Sequence, residues 1–197
     1  MIDYLYIMQH YEMPTRLLDF STDPLTALYF SVSKPINSTL DTDHEIQAFH
    51  DGFTFTDHGS TVFCIDPQWT NEQTLGESRI LDAKTYTTQF LRRLDLPLCI
   101  TSPNENERIK AQKGVFVLFG SWYNPLDYYS ILRPKTHKIF IPNSCRKKIL
   151  HELNTKYGIS HSTIFPDIKG IMLQITEDIE MHYQDNCAKI FNEEPII

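Results

Sequence analysis

The chain of 197 residues carries a formal net charge of −7, and 41% of its residues are hydrophobic. This length and hydrophobic content are typical of a single domain with a substantial core. The negative charge argues against non-specific nucleic-acid binding, which depends on a basic surface. We therefore do not expect a nucleic-acid partner.

The sequence has no recognisable targeting signal, and its cysteines are widely spaced; both features bear on the cellular compartment. No apolar run approaches the about 20 residues that a membrane-spanning helix needs, and the first residues lack the basic segment and cleavage site of a secretory signal. The 4 cysteines form no CxxC pair of the kind that binds zinc or carries redox chemistry. We expect a cytoplasmic protein with free thiols, no membrane partner and no metal.

The first part of the chain predicts two helices joined by a polar loop. Apolar residues recur at helical spacing over residues 2–13, and Pro14 ends that pattern. Asp23 and Pro24 are typical of an N-cap followed by a first helical position, so a second helix is expected from there to Pro35. Its predicted buried face consists of Leu25, Leu28, Tyr29 and Val32.

The middle of the chain alternates polar and apolar segments. Residues 36–59 contain scattered aspartates and histidines without helical i, i+4 ligand spacing, and we interpret them as an exposed insertion rather than a metal site. Residues 61–65 predict a buried strand, and residues 86–94 predict a helix. The strongest strand prediction is 115–119, which is apolar on both faces and therefore central.

The last part predicts a strand at 137–141, then a helix capped by Asn143 or Ser144 that Gly158 terminates. A long helix is expected to start at Pro166, with an apolar stripe along one side. The stripe consists of Ile168, Ile171, Met172, Ile175 and Ile179. The pattern predicts an α+β fold, a small central β-sheet flanked by helices, in one domain over 1–185 with a tail at 186–197.

The segment QHYEMPTRLLDF concentrates polar side chains immediately before an apolar run. Buried polar groups must be paired or hydrogen-bonded. In one interpretation, Arg16 and Asp19 form a charge-assisted pair that braces the loop. In the other, the loop presents His10, Tyr11 and Arg16 to a cleft. The two interpretations are compatible, because a rigid loop suits a site.

A second polar segment, RIKAQKG, leads into the predicted central strand. Gln112 lies close enough to that strand to be held at its edge. Its amide could bind a ligand ribose or carbonyl, or satisfy backbone groups of the protein. The sequence contains no glycine-rich phosphate loop, GxSxG elbow, HExxH helix or EF-hand loop.

Three segments together resemble the FRG domain, a bacterial and phage-associated family named for a Phe-Arg-Gly motif. They are QHYEMPTRLLDFSTDPLTALYF, RIKAQKGVFVLF and HKIFIPNSCRKKILHELNTKYGISHSTIFPDIKGI. The likeness runs from about residue 4 to residue 175. The Phe-Arg-Gly motif itself is absent from the sequence. We interpret the chain as a truncated or split member, or as one completed by an upstream-encoded polypeptide or partner chain.

FRG domains in turn have a layout similar to ADP-ribosyltransferases, which place three sequence elements around NAD. The resemblance implies that the arginine of the first element belongs to the missing segment and that the later Glu or Gln falls at Gln112. The serine-aromatic element would fall near Ser21, Thr22, Ala27, Tyr29 and Phe30.

The first functional hypothesis is an NAD-handling effector of ADP-ribosyltransferase-like type, acting in anti-phage defence or as a toxin. Arg16 would pair with a phosphate, and Tyr11 or Tyr29 would stack on a ring. His10 would orient a ribose hydroxyl or carry a proton, and Gln112 would hold the sugar across the cleft. The second hypothesis is a non-catalytic nucleotide-sensing or protein-interaction module, which the missing arginine favours.

Overall fold

The computed structural model describes residues 2–10, 13–33, 48–50, 53–55, 59–85, 88–91, 93–101, 106–120, 124–168, 170–172, 175–176, 179 and 183. Its helices are α1 (Ile2–His10), α2 (Pro24–Ser33), α3 (Pro67–Leu75), α4 (Thr88–Leu91), α5 (Glu107–Gln112), α6 (Arg146–Tyr157) and α7 (His161–Ile164). Its strands are β1 (Leu17–Ser21), β2 (Ala48–His50), β3 (Phe53–Phe55), β4 (Gly59–Ile65), β5 (Leu81–Asp82), β6 (Leu98–Thr101), β7 (Gly114–Leu118) and β8 (Thr136–Pro142). The predicted α+β class is confirmed.

The main sheet has four strands in the order β1-β7-β6-β5. Strand β7 pairs antiparallel with both β1 and β6, while β5 pairs parallel with β6. Residues Phe116, Val117 and Leu118 of β7 are all buried. The prediction that residues 115–119 supply a central strand is therefore confirmed, and β1 is left at one edge of the sheet.

Strand β4 pairs with β8 in a separate two-stranded sheet, and β2 pairs with β3. Residues 61–65 were expected to form a buried strand, but Phe63 and Cys64 are exposed. The expectation of full burial was wrong: Phe63 and Cys64 lie on opposite faces of β4, so neither face of this two-stranded sheet is covered along its whole length. The strand predicted at 137–141 is confirmed as β8.

Two hydrophobic clusters lie on different parts of the fold. The first joins the main sheet to α1, with Leu98, Ile100 and Leu118 at its centre and Leu5 packed against it. The second packs α2 against α6 through buried apolar side chains, which are Tyr29, Val32, Leu153 and Ile164. The predicted apolar face of α2 is thus the face that joins the helical layer.

The start of α2 and the end of α6 lie where the sequence predicts them. Asp23 accepts a hydrogen bond from the backbone N–H of Leu25 at 3.0 Å, as an N-cap does. Gly158 ends α6 in the left-handed region at φ 65°. The start of α6 differs from the prediction, because Cys145 is the N-cap and makes no side-chain capping bond.

The segment PTRLLD was expected to be a loop between two helices, and this was wrong. Residues Leu17 to Ser21 instead form β1, in register with β7 from Leu118 to Gly114. A five-residue strand with a charged residue at its centre has little period-2 signal. Its partner lies about a hundred residues away in sequence, so local pattern alone could not identify it.

The helix predicted at 86–94 is shorter in the described chain, where α4 covers Thr88–Leu91. The described residues after Asp167 include helical positions, as expected, but their apolar stripe is exposed, with Ile168 at 81%. Most of the predicted insertion at 36–59 and all of the tail at 186–197 lie outside the described residues. Within the described part of the chain, no helix has the length and apolarity to cross a membrane.

Candidate functional site

A cleft of about 1170 Å³ opens beside the edge strand β1. Its walls come from α1, β1, α2, β4, α5, β7 and the segments after β7 and α7. Most of the lining is apolar and aromatic, with a small set of polar side chains among the rings. The polar set includes Gln9, Asp19, Ser21, Arg108 and Gln112. An apolar cleft with a few fixed polar groups is the usual form of a ligand site.

Gln9, the second-last residue of α1, ties the helix to the strand. Its Nε2 donates to Asp19 Oδ1 at 2.6 Å, and its Oε1 accepts from Thr15 Oγ1 at 2.7 Å. Thr15 Oγ1 in turn accepts from the backbone N–H of Leu17 at 3.1 Å. This chain of hydrogen bonds fixes the segment that includes Pro14 and holds Asp19 at the cleft wall.

Asp19 is the acidic group among the described cleft residues. The mouth of the cleft leaves its side chain accessible to solvent, but the walls around it displace much of the surrounding water. This desolvation raises the pKa of Asp19 above its usual value, and the hydrogen bond from Gln9 acts in the opposite direction. A carboxyl with a raised pKa in a cleft is a candidate functional group.

Ser21 and Gln112 meet at the far end of β1. Ser21 Oγ donates to the backbone carbonyl of Gln112 at 2.7 Å. Gln112 is the last residue of α5, and Lys113 then turns the chain into β7 with φ 48°. The side chain of Gln112 donates to the carbonyl of Ile164 at 3.3 Å. Because its Nε2 is held in this way, the amide oxygen of Gln112 has a fixed position as an acceptor.

Arg108 lies one helical turn before Gln112 and stacks on an aromatic ring. Its guanidinium carbon is 4.8 Å from the centre of the Phe165 ring. Arg108 Nε is 2.9 Å from Asp167 Oδ2, but it is buried without a hydrogen bond of suitable geometry. The attraction to Asp167 is therefore mainly one of charge. Phe30 of α2 meets Phe165 edge-on with ring centres 5.8 Å apart.

The structure brings Ser21 and Gln112 into one cleft, together with Ala27 and Phe30 of the predicted serine-aromatic element. Arg16 and Thr22 are not among the residues that line it. His10 ends α1, next to a cleft residue, but its side chain lies outside the described part of the structure. Tyr11 also lies outside the described residues.

The expected pair between Arg16 and Asp19 does not form. The carboxylate of Asp19 accepts from Gln9 instead, and the carbonyl of Arg16 accepts from the backbone N–H of Phe119 at 2.9 Å. Residues three apart in an extended segment point to opposite faces of the sheet. The bracing role that was assigned to this pair is carried by Gln9 and Thr15.

Tyr29, predicted to stack on a ligand, is only 4% exposed and belongs to the cluster between α2 and α6. Its hydroxyl lies 3.4 Å from Nδ1 of His161. The next residue, Phe30, is the aromatic side chain of α2 that lines the cleft. The serine-aromatic element named in the resemblance included both Tyr29 and Phe30. Helix periodicity alone did not decide which of the two rings faces the cleft.

Sequence reasoning assigned no role to Gln9 or Arg108, although both lie in the two polar segments that it singled out. In the described part of the chain, no three His, Cys, Asp or Glu side chains are grouped so that they could hold a metal ion. The cleft therefore offers hydrogen bonds, one guanidinium, one carboxyl and several aromatic rings to a ligand.

The FRG domain family model matches residues 1–39, which span α1, β1 and α2. The match supports the FRG resemblance for the segment that contains Gln9, Asp19, Ser21 and Phe30. The segments around Gln112 and Phe165 lie beyond the matched residues. No curated protein and no solved structure matches the chain.

Proposed function

We propose that the cleft binds a nucleotide of the NAD class. The observation that supports this best is the convergence of Ser21, Gln112 and Arg108 with the rings of Phe30 and Phe165. A site for such a ligand provides polar groups that bind the sugar, a cation that binds the phosphate and aromatic faces that stack on the base. The FRG match over residues 1–39 covers one wall of this arrangement.

Each group has a definite role in the proposal. The amide oxygen of Gln112 accepts from a ribose hydroxyl, and Arg108 faces a phosphate while Asp167 keeps its guanidinium oriented. Phe30 is 41% exposed and supplies a stacking surface. Asp19 repels phosphate, so the phosphate end of the ligand lies at Arg108 and the carboxyl faces a sugar hydroxyl.

The proposed activity is cleavage of the bond between nicotinamide and ribose, with transfer of ADP-ribose to water or to an acceptor. Asp19 would stabilise the positive charge that develops on the ribose as nicotinamide leaves with the bonding electrons. His10 stays a prediction as the proton carrier. The proposed setting is an effector in anti-phage defence or toxicity.

Calorimetric titration with NAD and with ADP-ribose tests the binding, and chromatography for released nicotinamide tests the cleavage. We expect Arg108→Ala to weaken binding about tenfold or more through loss of a charge-assisted contact, and Gln112→Ala to weaken it less through loss of a neutral hydrogen bond. Lys110→Ala is the matched control, because it removes a positive charge from the same helix at a position outside the cleft. Asp19→Asn should bind the ligand and lose cleavage.

Absence of binding by the wild-type protein would contradict the proposal. Equal binding by Arg108→Ala and Lys110→Ala would place the nucleotide elsewhere. Binding with no nicotinamide release from the wild-type protein would instead identify the second hypothesis, a nucleotide-sensing module.

A further inference from the structure

The cleft includes the free edge of β1 as well as part of the sheet face that carries Asp19 and Phe116. Successive side chains of a strand point to opposite faces of the sheet. A cavity over one face would therefore be lined by every second residue. Four consecutive residues, Leu18 to Ser21, line this cleft. The unpaired edge of the main sheet is thus one of its walls.

The hydrogen bonds to β7 show which backbone groups point into the cleft. At one end, Phe119 N–H donates to the carbonyl of Arg16, and at the other Thr22 N–H donates to the carbonyl of Lys113. Both pairs fit the continuous antiparallel register. In such a ladder alternate residues bond to the neighbouring strand. The backbone groups of Asp19 and Ser21 therefore point outward.

Among the described residues, the backbone N–H and carbonyl groups of Asp19 and Ser21 have no hydrogen-bond partner. The outward N–H of Leu17 is already used, since it donates to Thr15. Open edges are usually blocked by proline, lysine or a bulge. Strand β1 contains none of these, and its single charge is the carboxylate of Asp19.

Strand β4 presents a second open edge to the same cleft. Three consecutive residues, 61–63, line it. Asp66 N–H donates to the carbonyl of Lys135, so the alternation in register with β8 turns the backbone groups of Thr61 and Phe63 away from β8. None of these groups bonds to another described residue.

We propose that an extended segment of another polypeptide, with alternating apolar and basic side chains, binds in the cleft as an added strand on β1. Its backbone bonds to Asp19 and Ser21. Strand addition of this kind takes affinity from backbone hydrogen bonds and specificity from alternate side chains. This inference does not rest on the nucleotide proposal.

The side chains along the edge define the chemistry of that segment. Residues of an added strand lie beside neighbours on the same face. Apolar side chains would cover Leu18 and Phe20, and Leu18 is 45% exposed in this chain. A basic side chain on the other face would meet the carboxylate of Asp19.

A second copy of β1 does not fit this description. Its sequence, LLDFS, has no basic residue to place beside Asp19. Antiparallel self-pairing centred on Asp19 would bring two carboxylates together, and like charges directly opposite one another destabilise a strand pair. The edge therefore selects a partner of opposite charge.

Fluorescence anisotropy with labelled (Lys-Val)4, (Thr-Val)4 and Lys4Val4 peptides tests the proposal. We expect saturable binding of (Lys-Val)4, with about tenfold weaker binding of the non-alternating Lys4Val4. Asp19→Asn should weaken (Lys-Val)4 binding and leave (Thr-Val)4 binding unchanged. Failure of (Lys-Val)4 to saturate at millimolar concentration, or equal binding of (Lys-Val)4 and Lys4Val4, would overturn the proposal.

Backbone pairing is tested by amide hydrogen exchange on the wild-type protein. Added (Lys-Val)4 should slow exchange at Asp19 and Ser21, while Leu18 and Phe20, already bonded to β7, should not change. Slowing at all four residues, or at none, contradicts strand addition.

A pair of substitutions at Ser21 tests the same backbone group. Ser21→Pro and Ser21→Ala both lose the hydroxyl, but only Ser21→Pro loses the outward N–H, a change that edge strands tolerate. Only Ser21→Pro should lose peptide binding, and β7 amide protection verifies that it folds.

Discussion

Strands β1 and β7 are neighbours of equal length in one sheet, yet their surroundings differ. Strand β7 is bonded along both edges and buries Phe116, Val117 and Leu118. Strand β1 is bonded along one edge and leaves Leu18 and Asp19 accessible in a cleft. The difference shows that the central strand carries stability and that the edge strand carries the groups available for binding.

The largest expected effect separates the two strands directly. Leu118 is fully buried, so Leu118→Ala should lower the free energy of unfolding by about 2–5 kcal/mol through lost burial and a cavity. Leu18→Ala, the matched change on β1, should lower it by less than about 1 kcal/mol, since Leu18 is partly solvated already. Urea denaturation measures both. Equal losses would mean that Leu18 contributes to the core as Leu118 does.

A smaller effect is expected at the connection between β1 and α1. Gln9→Ala removes the hydrogen bonds to Asp19 and Thr15 and should lower the free energy of unfolding by about 1 kcal/mol. A double-mutant cycle with Asp19→Ala should give a coupling of about 0.5 kcal/mol or more. Strict additivity of the two changes would show that this contact does not hold β1 to the helix.

The smallest effect concerns two carboxyls, at the middle and just beyond the end of β1. Desolvation raises the pKa of Asp19, whereas the hydrogen bond from Lys113 lowers the pKa of Asp23. The contribution of Asp19 to stability is present at low pH and lost as the pH rises through its folded-state pKa. The contribution of Asp23 to stability is present at neutral pH and lost as the pH falls through its folded-state pKa.

Denaturation of Asp19→Asn and Asp23→Asn between acidic and neutral pH measures this contrast. Relative to wild type, Asp19→Asn should gain stability as the pH rises, and Asp23→Asn should lose stability over the same range. The two variants serve as controls for each other. Parallel pH profiles would show that the cleft does not desolvate Asp19.

The helices and the central strand could be predicted because their signals are local. Asp23 and Pro24 mark the start of α2, Gly158 marks the end of α6, and the apolar run at 115–119 is long enough to identify β7. Capping geometry and hydrophobic runs act over a few residues, so they can be seen without the rest of the fold.

The candidate site was predicted in part for the same reason. The polar segment that supplies Gln112 was identified from composition, whereas Ser21 was named only through the family resemblance, and the fold places both residues in the cleft. Local sequence did not determine whether Tyr29 or Phe30 lines the cleft. It depended on α6, whose packing buries Tyr29 and turns the next ring toward the cleft.

By itself, the sequence determined the α+β class, the start of α2, the end of α6, the central strand and the two polar segments around which the cleft is built. Only the tertiary structure decided that PTRLLD enters an edge strand and that Gln9 rather than Arg16 holds Asp19. It also decided that one edge of β1 has no partner strand in the described part of the chain. These outcomes depend on β7, which is distant in sequence. Pairing with it fixes which side chains of β1 share a face and which backbone groups remain unbonded.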